Sequence, residues 1–157
     1  MALKWSTKLQ HDVLAAVRST FTNGVVYIYS GAQPIDGDAA VQGTLLGKLT
    51  VGAAAFAPGQ PAAGLNFDAP ANKVLSKAAA ETWQFVGLAT GVAGWFRHMG
   101  NALDDLNADQ TKVLPRMDGR IGGPGSGAEM ILSNVTVTQG ATTTIDSYAL
   151  SLPAGLS

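Results

Sequence analysis

The chain has 157 residues, no cysteine, a net charge of −1 and 13% charged residues, against about 25% in an average soluble protein. This composition offers no basic surface for a nucleic acid or a membrane, and it excludes disulfides, thiolate metal sites and a cysteine nucleophile. No apolar run is long enough for a membrane span or a signal-peptide core, so we expect a soluble protein that is not exported by the usual signal.

The N-terminal segment predicts one amphipathic helix over residues 7–21. Apolar residues recur there at the spacing of one helix face: Leu9, Val13, Ala16, Val17 and Phe21. Thr7 and Gln10 have the spacing of a capping box, in which a hydroxyl is followed three residues later by an amide. Asn23 and Gly24 then supply residues that tolerate the left-handed conformation in which many helices end.

The apolar stripe of this helix has two interpretations. It packs on the sheet of its own chain, or the segment led by Trp5 docks on a neighbouring chain. An aromatic side chain so close to a terminus needs something to cover it. We therefore expect residues 1–8 to form an arm that contacts another chain, with Trp5, Val13 and Val17 as candidate interaction residues.

The next segments predict two strands separated by turn residues. Residues 25–29 are all β-branched or aromatic, and residues 45–51 place Leu45, Leu49 and Val51 on one face at period two. Residues 52–70 are rich in Ala, Gly and Pro, which predicts an extended loop. Its apolar residues are expected to pin it to the domain: Phe56, Leu65 and Phe67.

The second half of the chain predicts further short strands. In residues 92–99 the pleat sends Trp95 and Arg97 to one face and Phe96 and His98 to the other. Residues 117–120 are expected to form a turn, and residues 134–138 and 143–152 a Thr-rich hairpin.

The predicted fold is therefore mainly β, an antiparallel β-sandwich or a jelly-roll-like barrel with one N-terminal α-helix. We expect a single domain over residues 1–157, with the β domain at residues 25–153.

Candidate chemical motifs are incomplete. Asp105, Asn107 and Asp109 match the first ligands of a calcium loop, but Gln110 stands where the loop needs glycine and Arg116 where it needs glutamate. The glycine-dense residues 122–127 lack the Gly-Lys-Ser/Thr sequence of a phosphate-binding loop. The two histidines, His11 and His98, lie in different elements. We expect no catalytic, cofactor-binding or metal-binding residues, and hence no enzyme.

Several short blocks resemble a family of small structural proteins from tailed phages and prophages. They are VYIYSGAQP at 26–34, DAA at 38–40, GTLL at 43–46, AGWFR at 93–97, DGRIG at 118–122 and TTIDS at 143–147. The resemblance spans roughly residues 20–153. Arg120 stands where the family form has serine in the block at 118–120.

The resemblance implies a component of the virion, assembled in the cytoplasm of a host bacterium. The implied role is a head decoration (cement) protein that binds the major capsid protein, in a homo-oligomer. A neck, collar or tail component is a second hypothesis, and a surface module that binds a glycan or receptor is a third. The third needs an exposed aromatic platform, for which Trp83 and Trp95 are the candidates.

Overall fold

The computed structural model describes residues 4–152. Residues 1–3 of the predicted arm and residue 153 of the predicted β domain lie outside this range. The element order begins with one helix, α1 (Thr7–Thr20), and continues with ten strands. These strands are β1 (Val25–Ser30), β2 (Leu45–Val51), β3 (Val74–Ser76), β4 (Trp83–Val86), β5 (Gly91–Met99), β6 (Arg116–Gly122), β7 (Met130–Ile131), β8 (Thr136–Val137), β9 (Thr142–Thr144) and β10 (Ser147–Ser151).

The strands form one curled, barrel-like sheet, so the predicted mainly β fold with one N-terminal helix is confirmed. The strand order is β3-β10-β7-β6-β5-β1-β2-β4-β9, and β8 pairs with β5. All named strand pairs are antiparallel except β6 and β7, which run parallel. The sheet is therefore mixed, because the seven residues that join β6 to β7 return the chain in the same direction.

Helix α1 lies where the sequence predicts it, but its cap and its buried face differ. The N-cap is Ser6, whose hydroxyl accepts the Leu9 amide at 3.2 Å, so Thr7 is not the capping residue. Gln10 is buried and donates its side-chain amide to the Trp5 carbonyl at 3.0 Å. Asn23 takes the predicted left-handed conformation, at φ 55°.

The buried face of α1 is centred on Leu14, whereas Leu9 is 45% exposed. The predicted stripe is therefore displaced by about one position. The buried face also includes a polar residue, Gln10, which a prediction from the spacing of apolar residues cannot place there.

A β-bulge changes which residues of β2 face the core. Residue pairing shifts between Ile28 and Tyr29, so that Ile28 lies opposite Gly47 and Tyr29 opposite Leu45. Leu46 becomes fully buried, and Leu45 is only partly buried. The expectation that Leu45 shares a face with Leu49 is wrong, because the extra residue inverts the alternation.

Aromatic rings of the core surround one buried histidine, His98. The ring of His98 lies 4.8 Å from that of Phe21 and 5.3 Å from that of Phe67, measured between centroids. Its Nδ1 lies 3.2 Å from the hydroxyl of Tyr148. Burial lowers the pKa of His98 to about 3, so the ring is neutral at pH 7.

Two predicted local features are wrong. Residues 117–120 belong to β6, where Asp118 lies opposite Arg97 of β5 and no turn forms. The segments around the predicted Thr-rich hairpin do not pair with each other: β8 pairs with β5, β9 with β4, and β10 with β3 and β7. Instead, Gly87 donates to the Ala141 carbonyl and accepts from the Gly140 amide, at 2.9 and 2.8 Å. The turn at Gln139 and Gly140 thus docks on the end of β4.

Gly47 tests the packing of β2 against the core. A Cβ at this position would lie 2.0 Å from the fully buried Phe85 ring, whereas a Cβ at Gly123 would meet no atom within 4 Å. We expect Gly47→Ala to lower the free energy of unfolding by about 1–3 kcal/mol through overpacking. Gly123→Ala is the control and should stay within about 0.5 kcal/mol. Urea denaturation measures both, and equal stabilities would contradict this packing.

His98 predicts an acid-sensitive core. Its pKa falls from 6.5 when unfolded to about 3 in the fold, so only the unfolded chain binds this proton between those pH values. Stability should therefore decrease as pH falls below about 6.5, by about 1.4 kcal/mol per pH unit from this group alone. Unfolding measured between pH 6.5 and about 5 should show a shallower slope in His98→Phe, whatever its absolute stability. A slope unchanged in His98→Phe would contradict the assignment.

Candidate functional site

Two long loops cover the outer face of the sheet at one end, and each is joined to it by a buried arginine–aspartate pair. Arg97 donates from Nε and Nη2 to the two carboxylate oxygens of Asp118, at 2.8 and 2.7 Å. Its remaining Nη1 donates to the Ala39 carbonyl in the loop of residues 31–44, at 2.8 Å. Both charged side chains are almost fully buried. Every branch of the guanidinium group is thus used, which a buried charge requires.

A second buried pair fixes the loop of residues 100–115. Arg116 forms a bidentate pair with Asp104 and donates from Nη1 to the Asn107 carbonyl at 2.8 Å. Hydrogen bonding to Asp104 raises the pKa of Arg116 above its usual value. Arg116 therefore remains charged, and its side chain ties the backbone of this loop to strand β6.

The two loops also bind each other. The Asp109 amide donates to the Asp38 carbonyl at 2.7 Å, and the Val41 amide donates to the Leu106 carbonyl at 3.2 Å. Lys112 forms an ion pair with Asp38, and this hydrogen bond raises the pKa of Lys112. Loops 31–44 and 100–115 consequently form one layer.

Asp109 organises the tip of the second loop. Its carboxylate accepts the amides of residues 111–114 and the Thr111 hydroxyl, at 2.7–3.1 Å. These bonds, led by the one from the Leu114 amide, lower the pKa of Asp109 to about 2. The same loop contains Leu106 at φ 64° and Lys112 at φ 55°, conformations that side chains with a Cβ rarely adopt. The loop is therefore held in a specific shape by its side chains.

This braced loop presents apolar side chains to solvent. Leu103 is 76% exposed and Val113 is 73% exposed, and both line a shallow depression with Ala108 and Leu114. We call these four residues the loop patch. Sequence reasoning missed them because an isolated leucine or valine in a polar loop carries no periodicity. The available signal is the presence of large apolar residues in a segment otherwise rich in Asp and Asn.

A second exposed apolar surface lies on the outer face of β1, β2 and β4, where the loop layer does not reach. We call it the sheet groove: Tyr27, Lys48, Phe56, Val86 and Leu88. Its volume is about 300 Å³. Lys48 Nζ lies 5.0 Å from the centre of the Tyr27 ring, a cation–π contact that fixes the charge at the groove.

The predicted interaction residues of the N-terminal segment lie on the helix side of the molecule. Trp5 and Val13 are partly buried, and Val17 packs against the hydrophobic core. Trp5 precedes the N-cap, and its carbonyl is held by Gln10. Contact of these residues with another chain stays a prediction.

The other residues that the sequence offers as candidate binding residues are buried or bound to neighbours within the fold. Trp83 and Trp95 are fully buried, so neither forms an exposed platform for a glycan. Asp105 binds Asn107, and His11 accepts the Lys73 amide at 3.1 Å. Within residues 4–152, no three His, Asp or Glu side chains are grouped to hold a metal ion. No helix in the same range has the length and apolarity needed to cross a membrane.

Comparison of this chain with protein-family models, curated proteins and solved structures finds no match.

Asp109 tests whether the loop patch is held in place. We expect Asp109→Ala to accelerate amide hydrogen exchange at residues 111–114 by about tenfold or more, because four amides lose their acceptor. Amides of β1 should keep their protection. The control is Asp105→Ala, which removes hydrogen bonds to Asn107 and a long ion pair with Arg116 at 3.9 Å but no bond to residues 111–114. Unchanged exchange at residues 111–114 in Asp109→Ala would show that the loop does not depend on this carboxylate.

Proposed function

We propose that this protein is a structural component of a tailed-phage virion, a decoration protein that stabilises the head by binding the major capsid protein. The observation that carries the proposal is the loop patch, where Leu103 and Val113 are about three-quarters exposed on a loop held by buried ion pairs. Water-exposed apolar groups of this size on a fixed backbone are typical of protein interaction sites. The resemblance of the sequence blocks to phage structural proteins supplies the partner.

The rigidity of the loop favours binding. A flexible loop loses conformational freedom when it docks, and this loss reduces affinity. Here Asp104, Asp109 and Arg116 order the loop before any partner arrives. Apolar side chains in such a preorganised position can contribute most of their desolvation energy to the contact.

A neck or collar component is the second candidate, and the sheet groove favours it. Such proteins form rings, and a ring needs contacts between copies in addition to a contact with the particle. The groove is a second apolar surface, formed by different residues from the loop patch. The glycan-binding alternative has lost its aromatic candidates, since Trp83 and Trp95 are buried.

Binding to purified heads tests the proposal. Heads from a phage strain that lacks the chain should bind the purified protein in a sedimentation assay and should then melt at a higher temperature. The double variant Leu103→Gln/Val113→Thr should bind about tenfold or more weakly, because two apolar anchors are lost. Val92→Thr, which alters an exposed valine at the start of β5, is the control and should bind like the wild type.

Two results would contradict the proposal. Heads that neither bind the wild-type chain nor gain thermal stability would exclude a decoration protein. Binding confined to tails or isolated necks would replace it with the second candidate.

A further inference from the structure

One side chain projects almost entirely into solvent on the loop of residues 31–44. Ile35 is 95% exposed, although Pro34 beside it is buried. The backbone after it is fixed, because Asp36 Oδ1 accepts the amides of Asp38 and Ala39 at 3.0 and 2.9 Å. Ile35 is therefore a rigid apolar knob with an exposed carboxylate directly after it.

The sheet groove has the complementary character. It is concave and apolar, and Val86 and Leu88 remain 42% and 48% exposed along it. Lys48 is the charged residue of its lining, and no lining residue is acidic. The groove therefore fits an apolar side chain that is accompanied by a negative charge.

The distribution of charge over the chain supports this pairing. Loops 31–44 and 100–115 contain five aspartates and one lysine, a formal charge of −4, although the chain as a whole carries −1. Arg116, which directly follows the second loop, is paired with Asp104, so the loops with this partner carry −3 and the remaining residues +2. Such segregation favours contact between the loops of one copy and the rest of another over contact between like surfaces.

We propose that Ile35 of one copy inserts into the sheet groove of a second copy, with Asp36 placed against Lys48. The contact uses residues outside the loop patch, so a particle-bound molecule can form it. A reciprocal contact between two copies gives a closed dimer, and a one-way contact gives a ring or a chain of copies. This self-association stands or falls independently of particle binding.

Complementation between two variants tests the pairing. Ile35→Ser removes the knob and leaves the groove intact, whereas Val86→Glu blocks the groove and leaves the knob intact. In sedimentation over concentrations up to about 1 mM, the wild type should associate and each variant alone should associate about tenfold or more weakly. A mixture of the two variants should form a mixed dimer, because the groove of the first accepts the knob of the second.

The charge contact has its own test. Lys48→Glu should weaken association by placing two negative charges together, and adding Asp36→Asn should restore part of it. Asparagine keeps the side-chain oxygen that accepts the Asp38 and Ala39 amides, so the loop turn is preserved. The control is Leu103→Gln/Val113→Thr, which should associate like the wild type even where particle binding is lost.

Three outcomes would overturn the inference. The wild type could remain monomeric at the highest concentration, or both single variants could associate as strongly as the wild type. A mixture of Ile35→Ser and Val86→Glu that associates no better than either variant alone would also exclude the knob-and-groove contact. Loss of particle binding with intact self-association would instead affect only the loop patch.

Discussion

The ion pair between Arg97 and Asp118 is the interaction on which the rest of the outer layer depends. A buried pair gains little net stability, because desolvation offsets the attraction between its charges, but removing one partner is strongly destabilising. The pair joins adjacent strands β5 and β6, and its third branch reaches the Ala39 carbonyl across the loop layer. Three segments that lie far apart in the chain therefore meet at this one guanidinium group: the loop at Ala39, β5 at Arg97 and β6 at Asp118.

The pair also explains why β5 is buried on both faces. Phe96 and His98 face the aromatic core, whereas Trp95 and Arg97 face the loop layer, with Tyr29 stacked on Trp95 at 4.6 Å between ring centroids. Burial raises the pKa of Tyr29 well above its usual value. Within residues 4–152, the Tyr29 hydroxyl and the Trp95 indole nitrogen are buried and find no hydrogen-bond partner. Covering these rings therefore has a cost, which the ion pairs and the apolar burial of the rings must offset.

Sequence reasoning predicted the fold class, the helix and the main strands because their signals are local and periodic. It failed where a distant partner decides the structure. The segment at 117–120 reads as a turn by composition, yet Asp118 is drawn into β6 by Arg97, 21 residues away in the chain. The Thr-rich segments read as a hairpin, yet β9 pairs with β4 and β8 pairs with the start of β5. The loop patch could not be predicted for the same reason. The exposure of Leu103 and Val113 depends on the bonds by which Asp104 and Asp109 shape their loop.

The ionisable side chains with shifted pKa values act mainly within the fold. Burial shifts the pKa values of His98, Tyr29 and Tyr148, and the ionised Asp109 carboxylate binds backbone amides. The buried charges hold backbone in place, and several large apolar side chains remain exposed, among them Ile35, Leu103 and Val113. Polar side chains thus order the loops, and the apolar side chains that these loops expose are suited to contacts with other chains.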